Sequence, residues 1–364
     1  MKIRNIKLET LCLCVFVAIN LTLMRNMILV TGGTGFIGSY LLYYLAKEGQ
    51  EIRAIKRPAS SMNTNDFIIT NLAKNENKSD IIESVKKVQW IEGDILDPDF
   101  LEEAMNGVDA VYHAAASVSF NAKDGKNTLK TNLDGTANIV NACLGTGVKK
   151  LGYVSSVGAL ARGGGIMTDE KKDTAVPKFS SIYSESKYRA ETEVWRGAAE
   201  GLEVVVINPG MVLGWGNWNT GTAKMFATIQ KGLKFYPAGS NGFIDARDVA
   251  KIFIKLMEMP EAVGNRYILV NENLTYKALF DMMAKQFEVN PPKFKAGYNL
   301  SLMVWLLDGF ICSLTRKEPF ITKEMVNTAT RKYAYSNKKL QALLNYDFIP
   351  VSKTIEEVCR LINC

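Results

Sequence analysis

In the run Tyr183-Ser-Glu-Ser-Lys187 a phenol and an ammonium stand four residues apart, a spacing that puts both on one face of a helix. A tyrosine hydroxyl titrates near pH ~10 in water, and a neighbouring cation favours its ionised form. Such a pair can give a proton to a carbonyl oxygen as hydride reaches the carbon, or take one in the reverse direction. Spacing alone does not select this pair, because Tyr43/Lys47 and Tyr335/Lys339 repeat it. Company separates Tyr183 from them. The apolar run ending Tyr153-Val-Ser-Ser156 brings two hydroxyls to the C-terminal end of a candidate strand, where ligands bind in open α/β sheets. Ser156 is the candidate to hydrogen-bond a substrate carbonyl and the Tyr183 hydroxyl. Ser155 is the adjacent alternative, and serine pairs at strand ends also serve plain turn chemistry. The single histidine, His113, argues against a Ser-His-Asp hydrolase and a His-rich metal site, and the cysteines lack metal-ligand spacing.

A cofactor for that chemistry needs a seat, and Leu29-Val-Thr-Gly-Gly-Thr-Gly-Phe-Ile-Gly38 has the pattern of one. Met27 to Val30 suit a buried parallel strand, while Ile37, Leu41, Tyr44 and Leu45 recur at helical spacing before Gly49. Between them, Gly32 allows a tight turn, Gly35 lets a pyrophosphate approach the backbone, and Gly38 lets the helix pack closely. The helix N-terminus offers N–H groups and a partial positive charge to the phosphates.

Strand-like runs alternate with helix-like ones: Met27–Thr31, Glu51–Ile55, Val88–Glu92, Ala110–His113, Leu151–Ser155 and Glu203–Ile207. This order predicts an α/β fold, a Rossmann-type doubly wound parallel sheet. Asp97 caps one helix, with Pro98 in its first turn. The polar stretch Pro58 to Lys87 reads as a mobile surface insertion with one short helix. The expected division is an N-terminal extension (1–26), a nucleotide-binding domain (27–209) and a smaller, mostly helical substrate-binding region (210–364), with about 243–270 returning to the core. Leu300 to Leu314 is very apolar, suiting core or substrate-lid packing, with peripheral membrane contact as the alternative.

Of the net charge of +7, +3 belongs to the first 26 residues, so the rest carries only +4 with no dense basic run, and no nucleic-acid partner is expected. Lys2, Arg4 and Lys7 precede the apolar stretch Leu11 to Leu23, like the opening of a signal sequence, but without a convincing cleavage site and short for a span. An upstream extension, with Met24 or Met27 as the true start, is the preferred reading, and a membrane anchor the runner-up. Sparse cysteines point to a reducing, cytoplasmic setting.

Taken in order, the glycine turn, Gly93-Asp94-Ile95-Leu96-Asp97, His113-Ala-Ala-Ala116, Asn132-Leu-Asp-Gly-Thr136, Val154-Ser-Ser156, Tyr183-Ser-Glu-Ser-Lys187 and Asn208-Pro-Gly210 resemble the extended short-chain dehydrogenase/reductases. The likeness runs from Met27 to about Ala250, more loosely beyond. It implies Tyr183 as the acid/base, Ser156 orienting the carbonyl, and Asn132 supporting the active-site helix. Lys187 would bind nicotinamide ribose and lower the tyrosine pKa. It also implies a cofactor-binding set of Thr31, Gly32, Gly35, Phe36, Ile37, Gly38, Asp94 at adenine, Ile95, Ala114, Ala115 and Pro209, no metal, and a homodimer. His113 resembles a strand-end residue beneath the cofactor rather than a base.

Ile52-Arg-Ala-Ile-Lys-Arg57 ends the second strand with cations where NAD enzymes of this type often carry a carboxylate. Arg57, with Lys56 or Arg53, suits a 2′-phosphate, so NADP is the expected preference, with NAD the alternative. Asn208-Pro-Gly-Met-Val-Leu-Gly214 and Phe243-Ile-Asp-Ala-Arg-Asp-Val-Ala250 resemble the dihydroflavonol-reductase, cinnamoyl-CoA-reductase and 3β-hydroxysteroid-dehydrogenase branch. Trp215, Trp218, Phe226, Phe235 and Tyr236 line an apolar pocket on one reading, or stack within the small domain on the other. The expected activity is a carbonyl reductase or alcohol dehydrogenase acting on a small apolar or aromatic molecule. The alternatives are a nucleotide-sugar epimerase or dehydratase with tightly held NAD, and a non-catalytic nucleotide-binding scaffold.

Overall fold

The computed structural model describes residues 27–119, 122–160, 167–170, 179–218, 221–303, 305–306 and 322–362. The expectations for residues 1–26, and most of those for Leu300 to Leu314, lie outside these residues.

Seven strands build the main sheet: β1 (Met27–Thr31), β2 (Glu51–Lys56), β3 (Gln89–Glu92), β4 (Ala110–His113), β5 (Lys150–Val154), β6 (Glu203–Pro209) and β7 (Asn265–Leu269). They lie in the order β3-β2-β1-β4-β5-β6-β7, every neighbouring pair parallel. Chain direction across the sheet reverses between β1 and β4, the switch point where such sheets bind ligands. Register puts Thr31 beside His113, and His113 beside Tyr153, so three polar side chains share one level at this point.

The strands read as continuous apolar runs because both faces are covered. Leu29, Val111, Leu151, Val204 and Val206 enter one buried cluster, while Ile28, Val30, Ala54, Val205 and Ile207 enter the other. Each of the Val, Leu and Ile side chains contributes about 1.5–3 kcal/mol on leaving water. The second face is covered by α1 (Phe36–Lys47), α2 (Asn63–Asn75), α3 (Asp80–Val85) and, later in the chain, Ala246–Glu258. The first is covered by α4 (Pro98–Ala104), α5 (Gly135–Thr146) and α6 (Ile182–Ala199). Asp97 caps α4, its side chain accepting from the Phe100 N–H at 3.2 Å.

The stretch from Pro58 to Lys87 corrects the expectation of a mobile insertion with one short helix. It holds two helices, α2 and α3, and buries Ile68, Ile69, Leu72, Ala73, Ile81 and Val85 against α1. Glu76 collects the hydroxyls of Tyr43 (3.3 Å) and Tyr44 (2.8 Å) and the ammonium of Lys47. The Tyr43/Lys47 pair is thus a structural tie. Tyr335 of the other repeat is buried, and Lys339 reaches Asn265 at 2.8 Å and the Arg266 carbonyl at 3.1 Å.

Beyond β6 the chain is not simply helical. Met211–Leu213, Ser240–Asp245 and Glu272–Thr275 form a three-stranded sheet, and Phe235–Pro237 pairs with Phe294–Ala296. The C-terminal helix Val351–Ile362 buries Val351, Ile355, Val358 and Cys359 against this region. Among the described residues no helix is long and apolar enough to cross a membrane.

Candidate active site at the sheet switch point

The glycine turn has the tightness its sequence suggested. Gly32 has φ +73°, and a Cβ there would lie 2.6 Å from the Ala115 nitrogen at the end of β4. A Cβ on Gly38 would meet the Gly32 carbonyl oxygen at 2.0 Å, so no larger residue fits without moving the turn. Gly35, exposed at the N-cap of α1, receives no side-chain cap, which leaves first-turn N–H groups for an anion. The cradle therefore fits a diphosphate. Phe36 and Ile37 supply the turn's backbone while their side chains pack on the core, Phe36 meeting Tyr40 at 5.5 Å between ring centroids.

Thr31 supports this seat from behind. Its hydroxyl accepts from the Ala115 N–H at 3.2 Å and contacts His113 Nδ1 at 2.6 Å, so it is used inside the protein. His113 is fully buried, with Nε2 3.0 Å from the Thr136 hydroxyl. Burial, then the nearby Lys187, hold its pKa down to about 3, so it is neutral and no base. Thr136 in turn donates to the Asn132 carbonyl at 2.6 Å.

Asp94 is exposed at the end of β3, one oxygen accepting from the Leu96 N–H at 3.0 Å. Buried Ile95 follows, its side chain reaching the space a Cβ on Gly135 would need. Arg53 caps the end of α4 through the carbonyls of Ala104 (2.7 Å) and Asn106 (2.9 Å), and Lys56 pairs Glu92 at 2.8 Å. Among the described residues of this strand end, Arg57 alone of the three cations is exposed and without a partner. Ala114 and Ala115, partly buried, follow β4, and Pro209 closes β6.

The candidate reacting groups converge from β5 and α6. Ser181 caps α6 by accepting from the Ser184 N–H, setting Tyr183 in the first turn. The Ser156 side chain accepts from the Gly158 N–H at 3.0 Å and acts on the Tyr183 hydroxyl in favour of its ionised form. Burial pushes that hydroxyl up to about 12, and Ser156 opposes this. The other serine has a different fate: Ser155 donates to Glu191 at 2.6 Å, deep in the core. Of the two candidates, Ser156 alone stands at Tyr183.

Lys187, one turn on from Tyr183, is also buried. Its Nζ donates to the Tyr153 hydroxyl at 3.0 Å and to the Val154 carbonyl at 2.7 Å. Burial lowers its pKa to about 7, with the Glu191 carboxylate acting upward. Asn132 sits in a π-helical turn, Lys130–Asp134. It ties the loop after β4 to α6, accepting from the Ser117 N–H (2.7 Å) and donating to the Ser117 carbonyl (3.0 Å) and the Ser186 hydroxyl (2.8 Å). Such π turns recur at functional sites.

Two participants were not singled out from the sequence. Glu191 continues the Tyr183–Lys187 face by four more residues and takes hydrogen bonds from Ser155, Asn208 (2.9 Å), Trp195 (3.2 Å) and Arg266 (3.2 Å). Its spacing was visible, but its partners lie far apart in the chain. Tyr153 was read only as strand. The proposed aromatic pocket does not assemble: Trp215 and Phe226 are buried in the core, Trp218 packs on Phe67, and Phe235 pairs with Phe294 while exposed.

A glycine-cradled turn at the switch point of a parallel sheet, with Ser156, Tyr183 and Lys187 beside it, defines an NAD(P)-dependent enzyme of the extended short-chain dehydrogenase/reductase type. The chain belongs to the NAD dependent epimerase/dehydratase family, whose model matches residues 28–270. It is 28% identical over 327 residues to a Synechocystis sp. protein with a provisional dihydroflavonol 4-reductase name, covering 88% of this chain and 90% of the relative. It is 28% identical over 352 residues to cinnamoyl-CoA reductase 1 of Petunia hybrida, covering 92% of this chain and 91% of the relative. The crystal structure of gox2253 superposes with a TM-score of 0.74 at 28% identity, covering 93% of this chain and 98% of that one.

Proposed function

We propose that the protein is a carbonyl reductase, or an alcohol dehydrogenase in the reverse direction, acting on an apolar or aromatic small molecule. The placing of Ser156 where it favours the ionised Tyr183 hydroxyl, at the sheet switch point, carries this reading, because a binding module needs no proton donor there. The reductase names of relatives that align along nearly the whole chain support it, and suggest flavonoid-like ketones or thioesters of aromatic acids. A bound nicotinamide nucleotide supplies or accepts the hydride. Ser156 holds the carbonyl oxygen, Tyr183 passes its phenolic proton to it, and Lys187 holds ribose hydroxyls with the N–H not engaged by Tyr153 and Val154. Asn132 keeps α6 in register with the loop after β4.

Arg57, exposed and unpaired, supports NADP over NAD as the preferred nucleotide. A cytoplasmic, homodimeric enzyme fits the family resemblance. The deciding experiment follows NADPH oxidation against a panel of aldehydes, ketones, flavonoids and aromatic thioesters, with Tyr183→Phe beside the native protein. Turnover should fall about 10²–10⁴-fold in the variant while nucleotide binding persists. Undiminished turnover in Tyr183→Phe refutes the role of that hydroxyl.

A further inference from the structure

We propose that Tyr153 is a second tyrosine of the active centre, a positioning residue that fixes the Lys187 ammonium and helps keep it charged. The proposal rests on the reductase reading for its turnover readout only. Its nucleotide-binding readout stands alone.

Tyr153, one residue before the end of β5, is fully buried where an apolar side chain would satisfy the packing. Its hydroxyl instead accepts a hydrogen bond from Lys187 Nζ at 3.0 Å, while the ammonium also lies 4.5 Å from the centre of its ring. The same hydroxyl hydrogen-bonds Thr136, and the His113 ring stacks on the phenol at 5.4 Å with 30° between planes. The directions are consistent along the chain of bonds. Lys187 donates to Tyr153, and Thr136, which acts on the same hydroxyl, donates to the Asn132 carbonyl. His113, neutral, donates through Nε2 to the same Thr136 oxygen and accepts at Nδ1 from Thr31. The buried polar groups of this relay are satisfied without water, and the lysine is held in one rotamer by a group on a different element.

The titratable groups facing Lys187 are few. Glu191 and Tyr183 lie on its own helix, Tyr153 on β5 and His113 on β4, with Arg266 of β7 paired to Glu191 beyond. His113 and Tyr153 stay neutral, so the phenol acts as a dipole and a π face. Removing its oxygen deletes one acceptor of the ammonium and lets burial drive the proton off at lower pH.

Tyr153→Phe keeps the ring and fills the same space. In the native protein and the variant, NADPH dissociation constants are measured from pH 6 to 9 by fluorescence, and kcat and KM by NADPH oxidation. The expected result is near-native binding at pH 6 and about tenfold weaker binding at pH 8, the midpoint moving down by about one pH unit. The alkaline limb of kcat should move with it while substrate KM changes little. A purely structural role would lower activity equally at every pH. Identical midpoints in the two proteins overturn the proposal, whether or not a carbonyl substrate is found. Should no substrate turn over in the native protein, the reductase reading fails and the binding titration still decides this one. If that variant does not fold, Tyr153→Met, which also lacks the hydroxyl, takes its place and is read against the native protein by carbon-13 NMR of the lysine ε-carbons, assigned with Lys187→Arg. A Lys187 midpoint below the native one supports the proposal, and one equal to it overturns the proposal.

Discussion

Two buried polar clusters in this molecule obey different rules. At the joint between the nucleotide-binding sheet and the C-terminal region, Arg247 grips Asp245 through Nε (2.9 Å) and Nη2 (2.6 Å) and reaches Glu357 at 2.6 Å. Thr354 closes the remaining side of Asp245 at 2.7 Å. Each charge faces an opposite charge, which holds Arg247 firmly protonated despite its burial. At the switch point, Lys187 meets neutral oxygens and a ring, its nearest carboxylate already shared among four donors. A structural cluster closes on itself, whereas a site for chemistry keeps its charges under-compensated and therefore responsive.

Breaking the joint should show the larger cost. Arg247→Met preserves volume but strands Asp245 and Glu357, and should destabilise the fold by about 3–5 kcal/mol in urea unfolding. A loss below about 1 kcal/mol would mean the two carboxylates find water or each other's protons, and the contrast would collapse.

The clusters should also pull stability in opposite directions with pH. His113 titrates at about 3 folded against ~6.5 unfolded, so its contribution is full above that higher value and lost as pH falls towards 3. Asp248, beside the joint, is raised to about 6 by burial and then by Asp245, although it accepts from Tyr346 (3.0 Å) and the Ile349 N–H (2.8 Å). Its contribution is present below ~3.9 and lost as pH rises through 6. Between pH 4 and 6, His113→Asn should flatten the rise of stability with pH and Asp248→Asn should steepen it, each by about 2 kcal/mol relative to the native protein. Parallel profiles for all three proteins would show that neither group senses its surroundings as described.

The smallest effect belongs to the solvent edge of the cofactor seat. Arg57→Ala should raise the KM for NADPH about tenfold, leave that for NADH nearly unchanged, and leave stability within about 0.5 kcal/mol. An equal change for both nucleotides would remove the 2′-phosphate role.

How much of this was visible in the sequence follows from how local each signal is. The parallel sheet was legible because strands covered on both faces are apolar throughout, as in Val204 to Ile207, and because the glycine turn has few other uses. Helices α2 and α3 were not, since Ile68, Ile69, Leu72 and Ala73 are scattered among Asn, Lys and Ser and bury themselves only against α1. The strand Asn265–Leu269 that completes the sheet falls in the stretch, about 243–270, expected to return to the core, but its five residues follow a helix with no glycine fingerprint and its own bounds were not legible. Ser156 and Ser155 could not be told apart from spacing. Adjacent residues leaving a strand point opposite ways, and only the position of Glu191 shows which serine turns inward. Arg266, 75 residues from Glu191, has no local signature at all.

One contact bears on how the enzyme breathes. The Tyr40 hydroxyl on α1 donates to the Trp215 carbonyl at 3.1 Å and accepts from the Trp215 N–H at 2.8 Å, both residues being buried. Swinging the two halves apart along this line would strand a peptide group and a phenol together, at about 1–3 kcal/mol for each bond. Helix α1 and the segment leaving β6 are therefore tied by two buried hydrogen bonds, whose loss opposes any separation of the two.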